Sequence, residues 1–251
     1  MRRYPLLRSM SRAGQTSVVK EIFTTAHGRY DFLNHLLSLR RDVGWREFAV
    51  GRMRFPPEGR FLDVATGTAD LALAAARRYP LLRVTGVDFA EPMLAIGKQK
   101  VRAAGLSDRI ALFPCDALAL PFPSGSFDVA AIAFGMRNIP DKVRALREMA
   151  RVTRAGGQVM VLEMTFAPAP AFRAIYGAYL SGVLPRIARL FAANGGAYSY
   201  LADSIRSFPT PETFGDIMTS AGLTEVTWHS LTFGAAYLHV GRTPPVDRRD
   251  T

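Results

Sequence analysis

Between residues 60 and 164, short apolar runs alternate with amphipathic stretches, and this alternation constrains the fold more than any other feature of the chain. The runs predict strands, and apolar residues three or four apart between them predict helices. Strands that alternate with helices form a mostly parallel sheet with helices on both faces. The predicted strands are 60–66, 83–89, 109–113, 126–134 and 158–164, and the helices are 69–78, 91–104 and 142–152, the last closed by Gly156-Gly157.

The pattern differs on both sides of this region. Two candidate strands near the carboxyl end follow each other without a crossover helix, so we expect an antiparallel edge hairpin. The additional elements are helical stretches at 15–54, 171–193 and 211–220 and strands at 223–231 and 235–241.

The chain is long enough for one or two domains, and we expect a single one over 15–242. Within it, 15–56 would form an N-terminal helical cap and 168–210 a helical insertion. The basic N-terminus, 1–14, and the tail, 243–251, are expected to be disordered.

Charge and composition narrow the classes of protein. The net charge is +11, and the first 60 residues hold 12 basic and 5 acidic side chains. Such a patch suits nucleic acid, an anionic membrane surface or an acidic ligand, and it is equally compatible with a solvated surface. No run approaches the roughly 18 apolar residues of a membrane span, and the start lacks the apolar core of a secretory signal. We expect a soluble, cytoplasmic protein.

Metal and disulfide chemistry find little support. Cys115 is the one cysteine, which excludes an internal disulfide and a cysteine-based zinc cluster. No group of side chains has metal-ligand spacing, so no metal is predicted. Cys115 itself is expected to be a buried small hydrophobe.

Ligands of an open parallel sheet bind beyond the carboxyl ends of its strands. At the first such end, Asp63 lies in the strand, Gly67 allows a sharp turn, and the Thr68 hydroxyl and backbone N–H groups face the ligand. Asp88 ends the second strand, where a carboxylate suits the two hydroxyls of a ribose. Asp116 and Ala117 follow the third strand and suit an adenine amino group.

The first loop lacks the G-x-G-x-x-G of a dinucleotide site, so an adenosyl ligand without a pyrophosphate fits better. The arrangement resembles the class I S-adenosylmethionine-dependent methyltransferases, although Ala65 and Ala69 replace two glycines of their D-x-G-x-G-x-G motif. The resemblance implies a Rossmann-like, doubly wound α/β fold: a seven-stranded sheet, mostly parallel with an antiparallel edge hairpin, helices on both faces and an N-terminal helical lid.

Three longer segments resemble the ubiquinone/menaquinone biosynthesis C-methyltransferases. They are YDFLNHLLSLRRDVGW (30–45), FGMRNIPDKVRALREMARVTRAGG (134–157), and LPRIARLF (184–191) with YSYLADSIRSFP (198–209). The resemblance implies that Thr68, Asp88 and the Asp116-Ala117 pair bind S-adenosylmethionine. Many members carry a serine just before F-G-x-R-N, where this chain has Ala133.

The family methylates a ring carbon of a prenylated quinol, and the resemblance favours demethylmenaquinol as the acceptor. Three alternatives stay open. The first is a 2-methoxy-6-polyprenyl benzoquinol of ubiquinone biosynthesis, and the second is a cofactor-binding scaffold of a quinone-synthesis assembly. The third, a nucleic-acid methyltransferase, is disfavoured because GMRNIPD stands where amino-directed enzymes carry (N/D)-P-P-(Y/F).

Arg137 and Asn138 follow the fourth strand and are predicted to stabilise phenolate charge on the acceptor. Arginine itself is too basic to act as the base. Tyr30 is a further catalytic candidate if the N-terminal helices form a lid. In the competing structural interpretation, Arg137 pairs with Asp141, Asn138 caps the next helix and Tyr30 packs.

The basic N-terminus would suit peripheral docking at the inner face of an anionic membrane, where prenylated quinols reside. The apolar stretch 171–185 and the N-terminal helices are candidate walls for the prenyl tail, although the same spacing is typical of core helices. A homodimer is compatible with the sequence, which leaves the oligomeric state undecided.

Overall fold

The computed structural model describes Ser38, residues 40–165 and residues 203–245. Its five longer helices and seven strands, labelled in chain order, are α1 (Arg41–Arg52), β1 (Arg60–Val64), α2 (Asp70–Arg78), β2 (Arg83–Asp88), α3 (Glu91–Ala103), β3 (Ile110–Pro114), β4 (Phe127–Ala133), α4 (Lys142–Val152), β5 (Thr153–Met164), α5 (Pro211–Ser220), β6 (Thr224–Leu231) and β7 (Ala236–Arg242). Short 3₁₀ turns follow β4 at Met136–Asn138 and β6 at Thr232–Gly234.

The seven strands form one sheet in the order β3-β2-β1-β4-β5-β7-β6. Strands β1 to β5 are mutually parallel, whereas β7 runs antiparallel to β5 and β6 antiparallel to β7. The predicted seven-stranded, mostly parallel sheet with an antiparallel edge hairpin is confirmed. Because β1 leads outward to β2 while β4 lies on its other side, the switch point falls between β1 and β4, where a ligand is expected.

Hydrophobic cores cover both faces of the sheet. Successive residues of β1 point to opposite faces, so fully buried Phe61 and Leu62 belong to different cores. The Phe61 core is closed by apolar residues of α1, α2 and α3. The Leu62 core is closed by residues of α4 and α5. Helices therefore cover both faces, as the alternation of apolar runs predicts.

Local sequence explains where several helices begin. The Asp141 side chain accepts a hydrogen bond from the Arg144 N–H and caps α4, and Thr210 caps α5 in the same way, with Pro211 at the first position. Such caps satisfy N–H groups that have no partner within the helix. The bounds predicted for these two helices are those observed.

The role predicted for Gly156-Gly157 was wrong. Helix α4 ends at Val152, and β5 begins at once and runs through both glycines. Gly156 has φ 69°, and a Cβ on Gly157 would lie 2.7 Å from the Asp128 carbonyl oxygen. The two glycines therefore allow an irregular pairing of β4 with β5, in which the register shifts between Phe127 and Val129.

Of the predicted N-terminal cap, 15–56, the structure describes Ser38 and residues 40–56, which include α1. The remaining residues of 15–56 before Ser38, most of the 168–210 insertion, and the N-terminus 1–14 lie outside the described residues. Of the predicted disordered tail, only 243–245 are described. The predicted division of the chain stays a prediction.

Candidate active site

A cavity of about 300 Å³ opens at the carboxyl ends of β1 to β4, at the switch point of the sheet. Its wall includes six of the residues singled out from the sequence as cofactor ligands, together with Asn138. The described residues that line it are Arg46, Asp63, Ala65, Thr66, Gly67, Thr68, Asp70, Leu71, Val87, Asp88, Phe89, Met93, Cys115, Asp116, Ala117, Leu118, Ala133, Phe134, Gly135, Asn138, Ile139 and Pro140.

The loop between β1 and α2 turns through three left-handed residues. Ala65, Gly67 and Ala69 have φ 51°, 55° and 68°. Gly67 adopts this conformation without penalty, as its predicted turn requires, whereas left-handed backbone costs an alanine roughly 1–2 kcal/mol. The two alanines thus keep the backbone path of a glycine-rich loop, and the loop ends at the N-terminus of α2, facing the cavity.

The side chain of Asp63, in β1, holds this loop through hydrogen bonds. Its Oδ2 accepts hydrogen bonds from the Thr66 hydroxyl at 2.6 Å and from the Ala72 N–H at 3.1 Å. Burial raises the pKa of the Asp63 carboxyl from 3.8 to about 7, because the ionised form loses its water there. One carboxyl therefore joins the strand, the loop and the first turn of α2.

The side chain of Asp88, at the end of β2, also holds this loop through a hydrogen bond. Its Oδ2 accepts a hydrogen bond from the Gly67 N–H at 2.8 Å, and its Oδ1 accepts one from the Ala90 N–H at 2.8 Å. Burial raises the pKa of this carboxyl, and the backbone hydrogen bonds oppose that rise. Each carboxylate oxygen has two acceptor sites, so Asp88 can accept ribose hydroxyls while it holds Gly67.

Asp116 and Ala117 form the wall beyond β3. The Asp116 Oδ1 accepts the Leu118 N–H at 2.9 Å, which fixes the turn of that loop. Cys115 beside them is only partly buried and lines the cavity, so the prediction of a buried cysteine was wrong. The thiol has hydrogen-bonding geometry to the Asp116 and Ala119 carbonyls, at 3.3 and 3.7 Å.

Arg137 and Asn138 are neighbours on the 3₁₀ turn after β4, but their side chains lie in different surroundings. Asn138 lines the cavity, whereas the buried Arg137 guanidinium lies behind the wall and pairs with Glu163 at 2.5 Å. Glu163 also accepts the Arg137 backbone N–H at 3.1 Å. The ion-pair partner is thus Glu163 rather than Asp141, which instead caps α4. A lone acidic residue in the apolar strand 158–164 was the sequence signal for this pair.

Besides Glu163, four charged residues around the site were missed by the sequence reasoning. Lys100 donates to the Asp70 carboxylate at 2.5 Å and to the Thr68 hydroxyl oxygen at 3.0 Å. Arg46 donates to the buried Asp42 at 2.6 Å. The Asp42–Arg46 spacing of four residues on a helix was the available signal.

The chain has four histidines, two of which lie on described strands. His229 lies on β6, and buried His239 on β7 contacts the Pro211 carbonyl through Nε2 at 3.0 Å. Burial lowers the pKa of His239 to about 4. Neither lines the cavity. Tyr30, His27 and His35 lie outside the described residues.

In the described ranges, no group of three His, Cys, Asp or Glu side chains could hold a metal ion. Within the same ranges, no helix is long and apolar enough to cross a membrane.

The donors and acceptors of the cavity fit an adenosyl group. Asp88 ends β2 and Asp116 follows β3, so these two carboxylates lie at the ends of neighbouring strands. The left-handed loop after β1 lines the same cavity. A doubly wound sheet with this loop, an acidic end of β2 and an antiparallel β7 defines a class I S-adenosylmethionine-dependent methyltransferase.

Comparisons with known proteins identify the family. A model of the ubiE/COQ5 methyltransferase family matches residues 10–243. The chain is 46% identical over 223 residues to the demethylmenaquinone methyltransferase of Thermus thermophilus, covering 89% of this chain and 100% of that protein. It is 43% identical over 226 residues to the ubiquinone/menaquinone biosynthesis C-methyltransferase UbiE of Geotalea uraniireducens, with coverages of 89% and 95%.

The solved structures agree on the fold. A SAM-dependent methyltransferase from Aquifex aeolicus superposes with a TM-score of 0.59 at 14% identity, over 80% of this chain and 91% of that one. The chain belongs to the ubiE/COQ5 methyltransferase family. It is an enzyme whose methyl donor is S-adenosylmethionine, and both predictions are confirmed.

Proposed function

We propose that this enzyme methylates a ring carbon of a prenylated quinol, with demethylmenaquinol as its acceptor. The observation that carries the proposal is the division of the cavity wall. The wall at the ends of β1 to β3 carries the polar groups that suit an adenosyl donor. The wall at the end of β4, formed by Ala133, Phe134, Gly135 and Asn138, can then face an acceptor. The similarity to the Thermus thermophilus protein over its whole length supports the choice of acceptor.

In this proposal the cofactor lies across the carboxyl ends of the strands. Asp88 accepts hydrogen bonds from the ribose hydroxyls, and Asp116 with Ala117 contacts the adenine. Thr68 and the loop around Gly67 border the part of the cofactor nearest the sulfur. Asp63 acts from below by fixing that loop, since its carboxyl is held by Thr66 and Ala72.

The donor supplies an activated methyl group on its sulfonium, so the protein has two tasks. It must align the acceptor carbon with the methyl group, which can supply several kcal/mol of the barrier. It must also stabilise the negative charge that develops on the phenolic oxygen as its proton passes to solvent water. The carbon–methyl bond then forms as the sulfur–methyl bond breaks, which leaves a neutral thioether, and the methylated ring carbon releases its own proton to water as the ring becomes aromatic again. Asn138, on the wall, is proposed to donate to the phenolic oxygen.

Arg137 is proposed to act on the same oxygen at a distance, through its positive charge, because its buried guanidinium lies behind the wall of the cavity. Its ion pair with Glu163 fixes the guanidinium beside the strand end. Tyr30, proposed as a further catalytic residue, would reach the site from the N-terminal helices. Ala133 stands where many family members have a serine, so the proposal assigns no hydroxyl contact to that position.

A second acceptor is supported by the second group of relatives. The protein of Geotalea uraniireducens, named for both ubiquinone and menaquinone biosynthesis, is 43% identical to this chain. The benzoquinol precursor of ubiquinone is therefore the alternative substrate, and tolerance of both rings would be the broad form of the proposal.

The test is an assay with methyl-labelled S-adenosylmethionine and two reduced acceptors, a demethylmenaquinol and a 2-methoxy-6-polyprenyl benzoquinol, with an RNA control. Label in the demethylmenaquinol is the expected result, and Asn138→Ala should lower the rate with little effect on cofactor affinity. Label in the benzoquinol alone would reassign the acceptor. Binding of the cofactor without label in either quinol would favour a scaffold, and label in RNA alone would refute quinol methylation.

We also infer a peripheral membrane contact at the inner face, through the basic N-terminus. The support is the charge excess of the first 60 residues together with a lipid-soluble acceptor. Binding to anionic liposomes should weaken when the arginines among residues 2–12 are changed to Glu. Unchanged binding would refute the contact. Light scattering of the same protein variants without liposomes would test whether the protein is a homodimer, which the sequence leaves open.

A further inference from the structure

Arg46 is a buried cation that the proposed mechanism does not use. It lies on α1 with 9% of its surface exposed and borders the cavity. Among the described residues that line the cavity, it is the one basic side chain. The guanidinium donates to Asp42 at 2.6 Å, and its central carbon lies 5.1 Å from the centre of the Phe134 ring. Both contacts hold the group in one orientation at the wall.

The position of Arg46 follows from the strand order. Phe134 comes directly after β4, which neighbours β1 on the side away from β2 and β3. If the adenosine lies over the ends of β2 and β3, the methionyl part of the donor extends toward β1 and β4. That is the side of the cavity on which Arg46 stacks against Phe134.

The charges at this side match an amino-acid group. S-adenosylmethionine has one anionic group, its α-carboxylate, and an α-ammonium on the same carbon. The Arg46 NH2 lies 3.9 Å from the Oδ2 of Asp70, which also lines the cavity. This distance exceeds a hydrogen bond, so the Arg46 guanidinium and the Asp70 carboxylate are adjacent but these two atoms are not hydrogen-bonded to each other. Lys100 holds Asp70 from the other side at 2.5 Å.

We propose that the Arg46 guanidinium binds the α-carboxylate of the methyl donor, with Asp70 beside it facing the α-ammonium. The proposal rests on the proposed placement of adenosine at Asp88 and Asp116. Asp42 acts as a positioning residue, since it holds Arg46 while it is itself held by the Ser38 hydroxyl at 2.6 Å. Arginine suits this role because its planar donors match a carboxylate.

The test compares three ligands by calorimetry with the full chain. They are S-adenosylmethionine, its decarboxylated form, which lacks the carboxylate alone, and 5′-methylthioadenosine, which lacks the whole amino-acid group. Arg46→Met should weaken binding of S-adenosylmethionine by about tenfold to a hundredfold, the range for a hydrogen bond to a charged group. The affinities of the other two ligands should stay unchanged.

The matched control is Arg52→Met. Arg52 lies on the same helix, is exposed and stacks on Phe48, outside the cavity wall. Its replacement should leave all three affinities unchanged. Since Arg46→Met leaves the Asp42 carboxylate buried, the double variant Asp42→Asn with Arg46→Met removes both charges and should show the same selectivity for the carboxylate.

An equal loss for all three ligands in the double variant would mean that Arg46 only supports the fold, and it would overturn the proposal, as would no loss for any ligand. Asp88→Ala separates this result from the placement of adenosine. It should weaken all three ligands, 5′-methylthioadenosine included. If that ligand is unaffected by Asp88→Ala, the proposed adenosine placement fails, whatever Arg46 does.

Discussion

Replacing Asp63 by asparagine should change how the stability of this enzyme depends on pH. The carboxyl is fully buried, and burial raises its pKa from 3.8 to about 7. Between these values the folded protein keeps a proton that the unfolded chain releases. The free energy of unfolding therefore falls as the pH rises through this window and levels off above it.

The size of the effect follows from the two pKa values. One pH unit of difference corresponds to 1.36 kcal/mol, so the Asp63 carboxyl should remove about 4 kcal/mol of stability between pH 4 and pH 7. An asparagine amide stays neutral, and its oxygen can accept from the Thr66 hydroxyl and the Ala72 N–H as the carboxyl does. The stability of Asp63→Asn relative to the native chain should therefore rise across the window.

The assay is urea unfolding, followed by circular dichroism, of the native chain and Asp63→Asn at half-unit steps from pH 4.5 to 8.5 without cofactor. Asp128→Asn is the control. The Asp128 carboxylate pairs with Arg154 at 2.5 Å and accepts the Arg60 N–H at 2.7 Å, so its loss should destabilise the protein. A difference between Asp63→Asn and the native chain that does not vary with pH would refute the assignment of a proton to Asp63.

Three further outcomes are expected from single replacements. Because burial lowers the pKa of His239 to about 4, folding disfavours its proton, and the native chain should lose about 3 kcal/mol as the pH falls from 6.5 to 4; His239→Gln should lack this loss in acid urea titrations. In Gly86→Ala the new Cβ would lie 2.5 Å from a Leu112 methyl carbon, so urea unfolding should show about 1–3 kcal/mol of destabilisation. Gly44 is exposed on α1, and a Cβ added there would have no atom within 4 Å. Gly44→Ala should therefore stabilise the protein by about 0.5–1 kcal/mol. Glu163→Ala leaves Arg137 buried without its carboxylate partner and should lower the free energy of unfolding by about 3–5 kcal/mol in the same measurement. Glu163→Gln should lower kcat by a larger factor than it raises the KM for the cofactor. Equal effects on kcat and KM would contradict a role for Arg137 at the acceptor.

The elements of the sheet were predictable because they depend on local patterns. Apolar runs bounded by glycine, proline or polar residues marked all seven strands, and the observed ends of most differ from the prediction by one or two residues. The exception is β5, which starts at Thr153. Its early start depends on a register shift against β4, and a cross-strand irregularity leaves no periodic trace in one strand.

The charged partners of the site were not predictable in the same way. Glu163 meets Arg137 from 26 residues away, and Lys100 meets Asp70 from 30 residues away. Each partner lies on a different element, so the pair exists only once the sheet has ordered the strands. The spacing of four between Asp42 and Arg46 was visible, but the sequence could not show that this face of α1 borders the cavity.

The glycine loop shows why the departures at Ala65 and Ala69 do not disqualify the cofactor site. Glycine is common in such loops because left-handed backbone costs it nothing, but the conformation itself is set by what the loop is fastened to. Here the Gly67 N–H is held by Asp88 and the start of α2 by Asp63. The hydrogen bonds of these two buried aspartic side chains offset a penalty of roughly 1–2 kcal/mol at each alanine. The pair of aspartates is therefore the more informative signature of the site, and a chain with both glycines but without Asp63 or Asp88 would lose the loop that this chain keeps.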